Sequence, residues 1–223
     1  MNTRGAAKRL ALVLIAAGAA LFSSNFLLDM AFAQEQDWTG VVSVLEVSEG
    51  HPRAMLRVTD ILCGVLVVAL LPYVSAALPP GTWRRWAVAS TVGYAVAGAG
   101  AALVPLPCAV SAMCTSPTDD VQRLVHDGFS VVAQVALFVA VVAVALATRR
   151  QGPRWLNRAA WMVFLLGGVL GAVVSGYYGL TDPDGWQAGL AQRFQLVVIS
   201  AWLVCLGAFA ATSGVSARRR GTS

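Results

Sequence analysis

The residues of this chain with the clearest capacity for chemistry lie between Gln122 and Gln134, in the segment QRLVHDGFSVVAQ. On a helix of ~3.6 residues per turn, Gln122, His126, Ser130 and Gln134 recur at every fourth position and form one stripe. Gln134 then lies ~12 Å from His126 along the axis. Arg123 and Asp127 make an i, i+4 pair of opposite charge beside it. His126 has the chemistry of a general base. With Asp29 or Asp60 to orient it and Ser23, Ser24 or Ser130 as nucleophile, it would complete a hydrolytic triad. Asp127 is a poor orienting partner, because adjacent helical residues point ~100° apart. No G-x-S-x-G elbow accompanies the stripe. A three-histidine metal site is excluded, since only His51 and His126 are present. A mixed His126, Asp29 and Asp60 site is permitted by residue type alone, and we expect neither a metal nor a cofactor.

The elements that must position these groups are membrane spans. Hydrophobic residues make up 57% of the chain and charged residues 12%, with a mean hydropathy of +0.69, which is the composition of a polytopic membrane protein. The formal net charge of +5 is no nucleic-acid signal: the basic residues flank apolar runs, and no basic face with interleaved aromatics exists. Six runs near the ~20 residues of a spanning helix can be marked, at about 10–30, 58–78, 86–106, 125–147, 159–178 and 191–213. They predict an all-α bundle of six transmembrane helices forming one membrane domain over residues 1–223. Arg4, Lys8, Arg9, Arg84, Arg85, Arg149, Arg150, Arg154, Arg158 and Arg218 to Arg220 fall on one side. The other side has only Arg53, Arg57, Arg123 and Arg193, together with every acidic residue from Asp29 to Asp184. Positive charge marks the inner face, so both termini are expected in the cytoplasm.

The first run also resembles a secretory signal, with RGAAKR ahead of an apolar core and Ala31-Phe32-Ala33 before Gln34. We favour an uncleaved anchor, because the run exceeds the 7–15 residues of a signal core and carries Ser23, Ser24, Asn25 and Asp29. Residues 34–57 form the largest outer loop, where Trp38 suits the interface and VVSVLEV suits a short surface helix or strand. Gly93, Ala97 and Ala101, and likewise Gly167, Gly171, Ser175 and Gly179, recur every four residues, the spacing that lets membrane helices approach closely. Asp182 or Asp184 is placed to cap the last helix. No repeat relates the two halves of the chain, so the inverted-repeat signature of many transporters is missing.

The segments SSNFLLD at 23–29, RVTDILCG at 57–64, LVHDGFS at 124–130 and GLAQRF at 189–194 resemble a prokaryotic six-helix membrane family, domain of unknown function 998. The resemblance covers nearly all of the chain. It implies six spans and an outward polar cluster, and carries no activity with it.

Ionisable groups inside a span cost ~2.5–3.5 kcal/mol each at mid-bilayer, so several kept on one side imply mutual pairing or a water-filled recess. We expect a recess open to the outside lined by Asn25, Asp29, Asp60, His126, Asp127, Gln192 and Arg193, with Arg193 as counter-ion to the carboxylates and with Ser130 and Gln134 as further binding residues. Its expected use is to bind a lipid headgroup or small molecule, or to support a partner membrane protein, in a multi-pass protein of the bacterial inner membrane. An outer-leaflet lipid hydrolase using His126, Asp60 and Asp29 is the alternative, and a small transporter the second. Nucleic acid is no partner. Cys108 and Cys114 lie on the oxidising side with five residues between them and are expected to pair, while Cys63 and Cys205 sit in apolar runs and stay reduced.

Overall fold

Ser116 starts the longest interior helix with a capping box. Its side chain accepts the Asp119 amide at 3.2 Å, and the Asp119 carboxylate accepts the Ser116 amide at 3.2 Å. Pro117 follows at the first helical position, where its missing amide costs nothing. The helix therefore begins about two turns before the apolar run at Val125.

The computed structural model describes residues 3–27, 42, 47, 51–108, 114, 116–181 and 186–220. Its helices are α1 (Thr3–Ser23), α2 (His51–Ala77), α3 (Thr82–Leu103), α4 (Pro117–Thr148), α5 (Arg154–Val163), α6 (Gly171–Thr181) and α7 (Trp186–Arg220). A π-helical turn, Phe164–Leu170, joins α5 to α6 and makes them one span. Six helices are long and apolar enough to cross a membrane, and no strand occurs among the described residues. The protein is thus the all-α, six-span bundle its hydropathy predicts. The loop around 34–57 and the cap by Asp182 or Asp184 lie outside the described residues, apart from Val42, Val47 and the start of α2.

Helix order alternates the spans, so both termini and the 78–81 and 149–153 turns share one end, which carries the arginine clusters. The end of α1, the end of α3 and the start of α4 share the other. Cys108 and Cys114 form a disulfide there, with Cα atoms 5.7 Å apart, and Cys63 and Cys205 are free. The main core occupies the basic half. Leu12 and Ala16, Leu70 and Val74, Leu137 and Val141, Leu156, and Trp202 and Leu206 meet there from five helices. Trp202 is only 1% exposed. Small residues set the spacing: a Cβ on Gly207 would overlap that of Ala16 and lie 3.3 Å from the Leu12 carbonyl, so α7 and α1 touch backbone to backbone. A Cβ on Gly64 would lie 3.1 Å from the Ala95 carbonyl, which brings α2 equally close to α3. Leu12, Ala16, Ala19 and Ala20 of α1 all sit in the core.

Candidate functional site

Above that core the side chains that meet are polar, and a cavity of about 180 Å³ opens between them. Engineered apolar cavities of ~150 Å³ accept benzene, so a group of six or more heavy atoms fits. The end of α1 contributes Ser23 and Asn25, α2 contributes Asp60, Cys63 and Gly64, and α7 contributes Gln192 and Leu196. Tyr94, Ala95, Gly98, Ala101 and Ala102 of α3 and His126, Ser130 and Ala133 of α4 form the facing wall. Val42 also lines the cavity, and its amide donates to Gln192 Oε1.

Each polar group is held by a local cause. α1 ends where Ser23-Ser24-Asn25 breaks the apolar run, and Asn25, 3% exposed, turns its amide onto α2. Nδ2 donates to Asp60 Oδ1 at 2.7 Å, Thr59 Oγ1 at 3.1 Å and the Leu56 carbonyl at 3.3 Å. Ser24 and Ser200 share a 2.6 Å bond that ties the same point to α7. The Tyr94 hydroxyl lies beside Ser23 and Cys63.

His126 is 5% exposed and closes the end of α3. Its Nδ1 lies 2.8 Å from the Val104 carbonyl and 3.2 Å from that of Ala101, and Gln122 Nε2 donates to the Pro105 carbonyl at 2.7 Å. Carbonyls at a helix C-terminus lack intrahelical donors, so the first two residues of the stripe supply them. Carbonyl oxygens only accept, which places the proton on Nδ1 and leaves Nε2 as the open nitrogen. The Nδ1 side of His126 is therefore held by backbone, while Asp60 Oδ1 accepts from Asn25.

The stripe ends in a polar layer. Gln134 Nε2 donates to Gln195 Oε1 at 2.8 Å, and Gln195 Nε2 donates to the Gly167 carbonyl at 2.8 Å. The π-helical turn makes this possible, since the Gly171 amide bonds to Leu166 rather than Gly167. Gly171 also leaves room for Gln195, which is 1% exposed.

Of the residues expected to form the recess, Asn25, Asp60, His126 and Gln192 line the cavity, as does Ser130 of the expected binding residues. Gln134 does not line it and belongs to the layer with Gln195. Asp127 departs from the expectation: it faces away, with its side chain 57% exposed and 3.9 Å from Arg123. Arg193 is buried and engaged, but is no part of the lining. Asp29 lies outside the described residues. Among the described residues, no three His, Cys, Asp or Glu side chains converge as metal ligands. Sequence reasoning missed Tyr94, Cys63 and Gly98. Cys63 follows Asp60 by three residues, a spacing that puts both on one face and gave a usable signal. The small-residue stripes do two jobs. Gly93 packs against Ala136 and Gly167 against Val198 and Phe138, whereas Ala101 lines the cavity and Gly179 meets nothing.

These features define a multi-pass membrane protein with six spans, a packed half and a half hollowed by a polar cavity. Its sequence identifies it further: residues 14–208 match the family described as protein of unknown function, DUF998, and the chain belongs to that family. No curated protein and no solved structure matches the chain.

Proposed function

We propose that this protein binds a small polar molecule or a lipid headgroup in the cavity, without transforming it, from the outer side of a bacterial inner membrane. One observation carries the reading: polar groups of five helices, some of them bonded to one another, line a single cavity. Polar side chains in a span that serve only to lock helices are expected to satisfy each other, as Gln134 and Gln195 do. The arginine clusters at the terminal end support a cytoplasmic position for both termini, and the disulfide supports an oxidising location for the cavity end.

Hydrolysis is less well supported, because Nδ1 of His126, the nitrogen a triad carboxylate would hold, is committed to backbone carbonyls. Transport is less well supported, because the polar lining stops at the Gln134 and Gln195 layer and apolar packing fills the half beyond.

Gly98 offers a direct test. It lines the cavity, and a Cβ there meets nothing within 4 Å, so a larger side chain enters the void without displacing a neighbour. Wild-type protein and Gly98→Leu are purified in mild detergent, and the bound molecules are extracted and identified by mass spectrometry. The expected result is one species carried by the wild type and reduced about tenfold or more in the variant. Equal occupancy in two equally folded proteins would sink the reading.

A further inference from the structure

The described acidic residues, Asp60, Asp119, Asp120 and Asp127, all lie in the first halves of α2 and α4, and the far end of the bundle gathers arginines instead. Arg84 and Arg85 stand in the first turn of α3, Arg149 and Arg150 directly follow α4, and Arg154 and Arg158 stand in the first turns of α5. We infer that the corner where these three helix ends meet seats the headgroup of an anionic phospholipid. The inference is independent of the cavity, which lies at the opposite end.

Helix register makes the corner. A Cβ on Gly100 would meet Phe129 and one on Gly93 would meet Ala136, contacts seven residues apart on both helices. The same antiparallel register carries Trp86 to the level of Ala143, and its neighbour Ala87 is buried in one core with Ala143. The start of α3 therefore lies beside the last turns of α4. Asn157 donates to the Ala145 carbonyl at 2.6 Å, which ties the first turn of α5 to those same turns.

The charge at this corner has no acid close to it along the chain. α3 and residues 128–181 contain no aspartate or glutamate. Asp127, the acidic residue of α4 nearest to Arg149, precedes it by ~33 Å along the axis, a distance over which salt screens the attraction. Among the described residues, no side-chain hydrogen bond or ion pair engages any of the six arginines. Five of them are exposed and Arg84 partly so. Arg154 and Arg158 stand four apart on one helix face, where like charges repel and a bound anion relieves them.

Tryptophans set the depth. Trp83 and Trp86 flank the α3 pair and are 44% and 55% exposed, and Trp155 follows Arg154 at 44%. Exposed tryptophans of spans concentrate at the headgroup level, so the arginines between them stand among lipid phosphates. Guanidinium meets phosphate through two parallel N–H donors, the geometry that favours arginine there. Each span read alone shows arginines that only flank an apolar run. The expectation that no basic face carries interleaved aromatics fails once three such flanks are folded together.

The test titrates the purified full chain in mild detergent with phosphatidylglycerol, phosphatidylcholine and phosphatidylethanolamine of one acyl composition, and bound lipid is counted by native mass spectrometry. Phosphatidylglycerol is expected to bind about tenfold or more tighter than the two zwitterionic lipids, and raised salt to shrink the difference. Arg149→Gln, Arg150→Gln, Arg154→Gln and Arg158→Gln together are expected to abolish that preference, and lysine at the same four positions to restore part of it. Lys8→Gln with Arg9→Gln, at the start of α1 where Lys8 stands over the Tyr73 ring at 4.9 Å, is expected to leave it unchanged. Equal binding of the three lipids by the wild type would overturn the inference, and so would binding of RNA in place of any lipid preference. A preference lost equally in the Lys8 and Arg9 variant is a diffuse field of the whole end, and one lost in Gly98→Leu belongs to the cavity; either would overturn the seat. The wild-type comparison and these two controls decide the matter even if the quadruple variant does not fold.

Discussion

At the basic half of the bundle, buried polar side chains are bonded to carbonyls close at hand. Thr91 donates to Ala87 at 2.7 Å, Thr148 to Val144 at 2.7 Å, and Asn157 reaches across a tight turn to Ala145 at 2.6 Å. At the disulfide half, Asp60, His126, Ser130 and Gln192 line a cavity, even where they are bonded, as His126 is to the α3 carbonyls and Asp60 to Asn25. The first arrangement leaves nothing for a ligand to complete, and its stability comes from apolar side chains that interlock. The second places polar side chains along the wall of a cavity inside the bundle, where water can reach them. One half of this chain is built to hold helices together, and the other to hold a space open between them.

Adding bulk at a glycine in each half is the strongest way to break that contrast. Gly207→Val drives α7 off Ala16 and the Leu12 backbone, and overpacking of this kind is expected to cost about 3 kcal/mol. The readout is a lower melting temperature in detergent and loss of the monodisperse peak on size exclusion. Gly98→Leu, which grows into the cavity, is expected to change stability by only about 0.5 kcal/mol. Equal losses at the two sites would mean that the halves do not differ as described.

The disulfide is the next largest expected effect. Replacing Cys108 and Cys114 together by serine removes a short closed loop, for which loop-closure entropy gives about 2 kcal/mol. The loop sits between α3, whose carbonyls hold His126, and α4, which carries it. The double variant is therefore expected to melt earlier and to retain less of the molecule proposed to occupy the cavity. A melting curve identical to that of the wild type, with reductant leaving both unchanged, would show that the loop is ordered without the bridge.

Gln195→Met gives the smallest effect and sharpens the boundary between the halves. It keeps the volume but leaves Gln134 and the Gly167 carbonyl without their partner, which is expected to cost about 1 kcal/mol, the scale of interhelical hydrogen bonds in membranes. A stabilised variant would show that the layer exists for something other than holding α4, α7 and the π-helical turn together.

Much of this fold was legible in the chain. Six apolar runs, their flanking charges and the His126 stripe follow from hydropathy and from the 3.6-residue period, and the two loop cysteines from compartment and spacing. The stripe was visible because it is polar against an apolar background. The boundaries were less so: the fourth run was marked from Val125, while capping by Ser116 and Asp119 starts α4 at Pro117. Asp127 was grouped with the recess by depth alone, and depth does not specify which way a side chain points.

Residue type, charge asymmetry and period thus determined that this is a six-span protein with its polar groups gathered at one end. Only the tertiary structure decided which of those groups meet. Lipid and protein core are almost equally apolar, so a span's sequence carries little record of which face turns inward. That rotation put Tyr94, Cys63 and Gly98 into the cavity wall and Asp127 outside it, and it gave His126 the α3 carbonyls rather than a carboxylate. The rotation is set by contacts such as Gly207 on Ala16 and Gly64 on the Ala95 carbonyl, where two helices approach because neither has a side chain in the way, and such a contact is a property of the pair.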